Sequence, residues 1–206
     1  MERMTLTRRA LLAGAAAIAA LRFLAPSAHA QDASAATAFV QSFGDRLVAV
    51  VNSNDTLPQK QQQLGPLIDQ AVDVDAIAHF CLGRFVNQAT PQQLAEYTQL
   101  FHAVLVNNIT AKIGEYRGVT FRMTDSVMRG TEAYVGTIVQ RPESAPTNVR
   151  WVVSMASGSP KIVDVVAEGT SLRLTQRSDY SSYLSHNGNS VAALIAAMQR
   201  QVAQGG

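Results

Sequence analysis

The sequence predicts an α+β domain: an antiparallel-rich mixed sheet of about four strands, with N- and C-terminal helices packed against it. Three observations carry this. Apolar residues recur at helical spacing over 33–113, at strand spacing over 119–167, and at helical spacing again over 172–203. The strand segments are short and separated by turn-forming residues, as in an antiparallel meander. Beyond the first thirty residues, 176 remain, enough for one domain with a sizeable core.

Residues 1–30 read as a cleaved export signal. Arg3, Arg8 and Arg9 precede an uncharged, Ala-rich run of 12 residues, 10–21, and Ala28-His29-Ala30 ends the segment. Charged start, apolar middle and small-x-small end are the three parts of such a signal, with the cut between Ala30 and Gln31. The run is too short to cross a hydrocarbon core of ~30 Å. Thr7-Arg8-Arg9-Ala10-Leu11-Leu12 resembles the twin-arginine export motif, with Leu11 where Phe is usual; the general secretory route is the alternative. Residues 31–206 then form a single domain, periplasmic and soluble after cleavage.

Charge follows the same division. The leader carries a net +3 of the chain's formal +2, leaving −1 on the body, which argues against a nucleic-acid partner. With 47% apolar and 16% charged residues, disordered and fibrous classes are excluded. A single cysteine, Cys81, excludes an intramolecular disulfide framework.

The elements follow in order. Residues 33–54 place Ala36, Phe39, Phe43, Leu47, Val50 and Val51 on one helical face. Pro58 and Gly65-Pro66 punctuate a Gln-rich linker or short helix. Asp73 caps a helix through about Leu82, with Val74, Ile77, Ala78 and Cys81 inward and Gly83 as its stop. Thr90-Pro91-Gln92-Gln93 combines an N-cap, a proline in the first turn and a capping box. That helix runs to about Ile113 and buries Leu94, Tyr97, Leu100, Phe101, Val104, Leu105 and Ile109. Strands are expected over 119–128, 133–140, 148–157 and 161–167. Alternation puts Val149, Trp151, Val153 and Met155 on one face of the third, and Val163 and Val165 together on the fourth, opposite Asp164. Two helices, about 172–185 and from 189 or 190 onward, close the chain, separated by Gly188.

No catalytic constellation assembles from these residues. There is no G-x-S-x-G, P-loop or G-x-G-x-x-G. His79 and Cys81, two apart on a helix, point in different directions and lack companions at metal-ligand spacing. His102 reads as a flank residue, His186 as a helix-end residue facing exposed carbonyls, and Asp73 and Asp75 as first-turn carboxylates. No metal and no cofactor is expected.

Three stretches carry a resemblance. The first is Val74-Asp75-Ala76-Ile77-Ala78 leading through Leu82-Gly83-Arg84 to Ala89-Thr90-Pro91-Gln92-Gln93. The second is Pro160-Lys161-Ile162-Val163-Asp164-Val165-Val166-Ala167-Glu168-Gly169. The third is Thr175-Gln176-Arg177-Ser178-Asp179-Tyr180, then Asn187-Gly188-Asn189 and Leu194-Ile195. In this order they resemble the MlaC-like family of toluene-tolerance auxiliary proteins, which includes a hopanoid-associated HpnM branch. Phe85 stands where the family often has Trp, and Thr170 where it has an aliphatic residue.

The resemblance implies an NTF2-like cone enclosing an apolar cavity between sheet and helices. It implies a non-enzymatic periplasmic shuttle whose cargo is phospholipid. The implied partners are an outer-membrane lipoprotein complex and an inner-membrane ABC transporter with its lipid-binding subunit. Combined with strand alternation, it nominates Val149, Trp151, Val153, Val163, Val165, Phe101 and Leu105 as the lipid-binding residues. A hopanoid-linked role, an NTF2-like periplasmic enzyme and a lipid-free adaptor are the alternatives. Glu168 and Arg177, flanking the turn into the penultimate helix, are expected to fix that helix through an ion pair or through backbone bonds.

Overall fold

The computed structural model describes residues 28–156 and 158–204. Four helices come first: α1 (Ala28–Asn52), α2 (Leu57–Ala71), α3 (Val74–Leu82) and α4 (Pro91–Lys112). Tight 3₁₀ turns, Gly83–Gln88 and Ile113–Tyr116, follow α3 and α4. Strands β1 (Thr120–Arg129), β2 (Glu132–Gln140), β3 (Thr147–Ser154), β4 (Lys161–Ala167) and β5 (Thr170–Ser171) come next, then α5 (Leu172–His186) and α6 (Val191–Ala203).

Local chemistry accounts for the helix ends. Thr90 Oγ1 accepts from Gln93 N at 3.2 Å while Gln93 Oε1 accepts from Thr90 N at 2.9 Å, the reciprocal capping box that starts α4. Asp73 caps α3 by accepting from Ala76 N at 3.0 Å, and Gly83 ends it at φ +60°, a conformation that costs a residue with a Cβ. Ser171 and Ser190 cap α5 and α6 in the same way, accepting from Leu174 N and Ala193 N, each at 3.2 Å.

The Gln-rich segment is a full 15-residue helix. Gln59 Oε1 accepts from Thr56 N at 2.9 Å, the same Thr-x-x-Gln arrangement that opens α4. Pro58 lies in the first turn, where a missing N–H is harmless. Pro66 is inside the helix, yet Leu64, Leu67, Ile68 and Ala71 form one buried stripe around it. Burial of that stripe outweighs the lost backbone bond.

The sheet is a meander in the order β1-β2-β3-β4-β5, every neighbouring pair antiparallel. Its fifth strand is a two-residue strip between β4 and α5, one more than the four strands expected. An isolated parallel bridge, Val72 to Ile162, ties the end of α2 to β4, helped by Asp73 N donating to Ile162 O at 2.9 Å. Lys161 Nζ fastens the same corner by donating to Asp69 O and Gln70 O, carbonyls at the C-terminal end of α2.

Three apolar clusters result. The first joins α1 and α2 to one face of the sheet through Ala36, Val40, Phe43, Leu67, Ala71, Ala133, Val135, Val153 and Ile162. The second is all-helical, linking α3 to α6 through Leu82, Phe85, Tyr97, Phe101, Tyr180, Leu184 and Met198. The third packs Val51, Leu64, Ile68, Val106, Ile113 and Val119 at the α1–α2–α4 corner. Helix α4 therefore buries two sides: Tyr97, Phe101 and Val104 in the helical cluster, and Val106 in the corner cluster. The single stripe expected for it was too simple.

Candidate functional site

Strand register decides which nominated residues meet. In the β2–β3 pairing, Ala133, Val135 and Thr137 lie opposite Val153, Trp151 and Val149. In the β3–β4 pairing, Val149, Trp151 and Val153 lie opposite Ala167, Val165 and Ile162. Directly paired residues share a face, so Val149, Trp151, Val153 and Val165 form one inner surface, as alternation predicts. Val163 does not join that row. A bulge in β4 between the partners of Val152 and Val153 makes Val163 the extra residue and gives its expected place to Ile162.

The inner surface faces α1 and α2. Val153, Ala133 and Val135 are fully buried there, and Trp151, Val149 and Val165 are half-buried at the rim. The Trp151 ring meets Phe43 edge-on, centroids 5.7 Å apart and planes at 74°. Its indole Nε1 donates to Thr137 Oγ1 at 3.0 Å, and Thr137 Oγ1 donates onward to Val149 O at 3.3 Å. The buried polar atoms of this wall are thus paired among themselves, and what faces α1 is hydrocarbon. Across from it, Ala36, Val40 and Phe43 present one stripe at i, i+4 and i+7. Sequence reasoning noted the helical face but not that it covers the Trp151 row, because that pairing is non-local.

Phe101 and Leu105 lie outside this sandwich. Phe101 sits in the helical cluster, 6.0 Å from the Tyr97 ring and 6.3 Å from the Tyr180 ring. Leu105 packs in the corner cluster. The seven nominated residues are therefore spread over more than one packing unit, with Val149, Trp151, Val153 and Val165 brought together.

The opposite face of the sheet is joined to α5 by polar contacts. Asp164, 5% exposed, lies opposite Val152. Its Oδ1 accepts from Val165 N at 2.8 Å and Arg173 N at 3.0 Å; its Oδ2 accepts from the Ser171 hydroxyl and lies 3.5 Å from Arg173 Nε. Arg173 also reaches Glu132 at 3.6 Å and covers the Phe80 ring at 4.9 Å. Arg177 also lies 4.9 Å from the centre of the Phe80 ring and donates to Phe80 O at 3.2 Å. Glu168 Oε1 instead accepts from Asn148 N at 2.8 Å. Glu168 and Arg177 thus act through backbone bonds, each to a different element, and not as an ion pair.

Titratable groups in the helical cluster are held neutral. Burial, reinforced by the Asp164 charge, pushes the Cys81 thiol up to about 12, and its Sγ donates to Arg173 O at 3.5 Å. Burial also raises the Tyr97 and Tyr180 phenols, and Tyr97 OH donates to Ala78 O at 2.9 Å. His79 is exposed while Cys81 is buried, so the two do not pair. His186 Nδ1 lies 2.8 Å from Ser182 O at the end of α5.

Two surface clefts accompany these layers. One of about 680 Å³ is lined by Asp69, Asp73, Asp75, His102 and Lys161 among others. Asp73 is occupied as a cap and Lys161 by the α2 carbonyls. His102 Nε2 is 2.7 Å from Asp69 Oδ1 without the geometry of a hydrogen bond. The other, about 470 Å³, runs along α5 past Leu174, Arg177 and four serines. Among the described residues, no three His, Cys, Asp or Glu side chains are grouped to hold a metal.

The export-motif arginines Arg8 and Arg9 lie outside the described residues. The expected cut falls within the first turn of α1: Ala30 is helical with its side chain outside the described set, and Gln31 is exposed. Among the described residues, no helix is long and apolar enough to cross a membrane.

Known proteins place this architecture. No curated protein matches the chain significantly. Its fold is similar to that of a solved phospholipid-binding protein from Ralstonia solanacearum, captured with a phospholipid, at a TM-score of 0.72 and 22% identity. That match covers 82% of this chain and 98% of the other. The family model described as MlaC protein matches residues 41–200, from within α1 to within α6. The chain belongs to the MlaC family.

Proposed function

We propose that this protein is a periplasmic carrier, exported and trimmed to Gln31, that binds a phospholipid by its acyl chains and moves it through the aqueous space between two membranes. Family membership over residues 41–200 is the observation that supports the reading most strongly. The phospholipid held by the similar Ralstonia protein points to the same cargo. The donor and acceptor would be an outer-membrane lipoprotein complex and an inner-membrane ABC transporter with its lipid-binding subunit.

The chain's own chemistry fits that work. Leaving a membrane costs an acyl chain about 0.8 kcal/mol per CH₂ exposed to water. The surface of Val149, Trp151, Val153 and Val165, with Ile162 beside it, offers hydrocarbon in exchange. Entry of a chain between this wall and α1 replaces apolar contacts with apolar contacts. The half-buried Trp151 and Val165 at the rim leave room for the headgroup to stay in water, so headgroup selectivity is weak. Phe101 and Leu105 support α4 behind the site, and Val163 supports the β4 bulge. The function is binding, without catalysis.

The test is uptake. Mature protein mixed with vesicles containing a fluorescent phospholipid is expected to carry lipid into the protein fraction after separation, near one lipid per chain. Absence of lipid from that fraction, together with unchanged transfer between donor and acceptor vesicles, contradicts the reading.

A further inference from the structure

Helix α1 is fastened unequally along its length. At its C-terminal end Asn52 Nδ2 donates to Val119 O at 3.1 Å, and Asn52 Oδ1 accepts from Gly118 N at 2.7 Å. Lys60 Nζ donates to Val51 O at 2.6 Å from a site 8% exposed. The Arg46 guanidinium donates to the Gln70 side chain on α2. At Gly44 the helix lies so close to the Phe121 ring that any Cβ would run into it. All of these fastenings fall between Gly44 and Asn52.

The other half is held differently. Between Ala33 and Phe43, α1 meets the sheet through Ala36, Val40, Phe39 and Phe43. Among the described residues, the one polar link from this half to the sheet is Ser126 Oγ to Ala33 O, at 3.5 Å long for a hydroxyl donor. The contact stripe also tapers, from Ala36 at the loose end through Val40 to Phe43 beside the fixed end. Polar bonds to named backbone atoms cannot be replaced by a lipid chain, whereas apolar contacts can, since the hydrophobic effect is non-directional.

We infer that α1 is a hinged lid: its Gly44–Asn52 segment stays fixed, and its Ala33–Phe43 segment lifts from the sheet to let an acyl chain reach Trp151 and Val153. The inference rests on the lipid-binding reading. It also gives a sense to the expected cut after Ala30. Once the leader is gone, the lifting end is the chain's own terminus, and no preceding segment has to move with it.

A disulfide lock tests the lid. Ala33→Cys with Ser126→Cys staples the loose end; the Ser126→Cys single variant, treated with the same oxidant, is the control. Cys81 stays in place, being 1% exposed. Oxidised A33C/S126C protein is expected to take up fluorescent phospholipid from vesicles at least tenfold more slowly than its reduced form, while the oxidised control keeps the wild-type rate. Wild-type uptake by the oxidised loose-end staple overturns the lid. If wild-type and reduced proteins take up no lipid at all, the lipid-binding reading fails first and the lid with it. Should the staple not close, Ala36→Cys decides instead. Its thiol, at a position 0% exposed, is expected to react with a maleimide at least tenfold faster than Cys81 in the presence of vesicles. Equal protection of the two overturns the lid.

Discussion

The helical layer of α3 to α6 and the layer between α1 and the sheet both bury apolar side chains, but they are held together by different means. In the helical layer, packing is pinned by directed bonds between elements: Tyr97 OH to Ala78 O, Arg177 to Phe80 O and Cys81 Sγ to Arg173 O. Three rings, Tyr97, Phe101 and Tyr180, meet with centroids 6.0 to 6.3 Å apart. Between the sheet and the first half of α1, contact is almost entirely hydrocarbon on hydrocarbon. The difference teaches which layer can exchange its contacts for a ligand's. Directed bonds make a scaffold with one arrangement; undirected contacts make a surface that accepts another hydrocarbon in place of α1.

The largest effect is expected at the seam between the sheet and the scaffold. Asp164→Ala strips the carboxylate from Ser171, from the Arg173 backbone and from the mostly buried Arg173 guanidinium. Breaking a buried pair on one side costs about 3–5 kcal/mol. Urea denaturation is the check, and a loss below about 1 kcal/mol would show that the seam is not a fixed point.

Next comes the exchangeable layer. Val153→Trp adds bulk at a position 0% exposed. Overpacking costs about 1–3 kcal/mol, and the same ring fills the space a chain would enter. Melting temperature and co-purifying phospholipid are both expected to fall, the lipid more completely. Full lipid content in a folded variant would move the site away from Trp151 and Val153.

A smaller effect is expected within the scaffold. Tyr97→Phe removes one buried hydrogen bond and leaves the ring, a loss of about 1 kcal/mol. Lipid uptake per folded molecule is expected to stay the same, which a combined denaturation and uptake assay reads directly.

The smallest concerns an exposed ion pair on the sheet. Arg150 contacts Asp125 through two bonds, 3.0 and 3.2 Å, and holds that carboxylate below its usual range. A lowered folded-state value stabilises above the unfolded value of about 3.9, and the gain disappears as pH falls through the lower folded value. Both side chains are well exposed, at 38% and 55%, so Arg150→Ala is expected to cost only ~0–1 kcal/mol at neutral pH and nothing once Asp125 is protonated. Chemical denaturation at pH 7 and at successively lower pH tests it, the difference between variant and wild type being expected to shrink as Asp125 takes up its proton.

Much of the scaffold was legible in the sequence because its signals are local. Asp73, Thr90 and Gly83 mark helix ends through bonds to residues within four positions, and each is found where those rules place it. The α2 helix was obscured because Gly65-Pro66 reads as a break, although Thr56 and Gln59 repeat the signal of Thr90 and Gln93. The site was legible only along a strand. Alternation gave Val149, Trp151 and Val153 one face, but the extra residue at Val163 shifts Ile162 into the row, and no sequence feature announces a bulge. The wall opposite, Ala36, Val40 and Phe43, is separated from Trp151 by more than a hundred residues. Its pairing is a product of the whole fold, as is the division of Phe101 and Leu105 between two clusters.

The claim that this layer is a lipid site is tested most directly by native mass spectrometry. The full chain, leader included, is expressed in a bacterium and the protein recovered from the periplasm under non-denaturing conditions. The account predicts a polypeptide beginning at Gln31 that carries the added mass of a phospholipid, lost on denaturation. A lipid-free mass that gains nothing after incubation with phospholipid vesicles would contradict it.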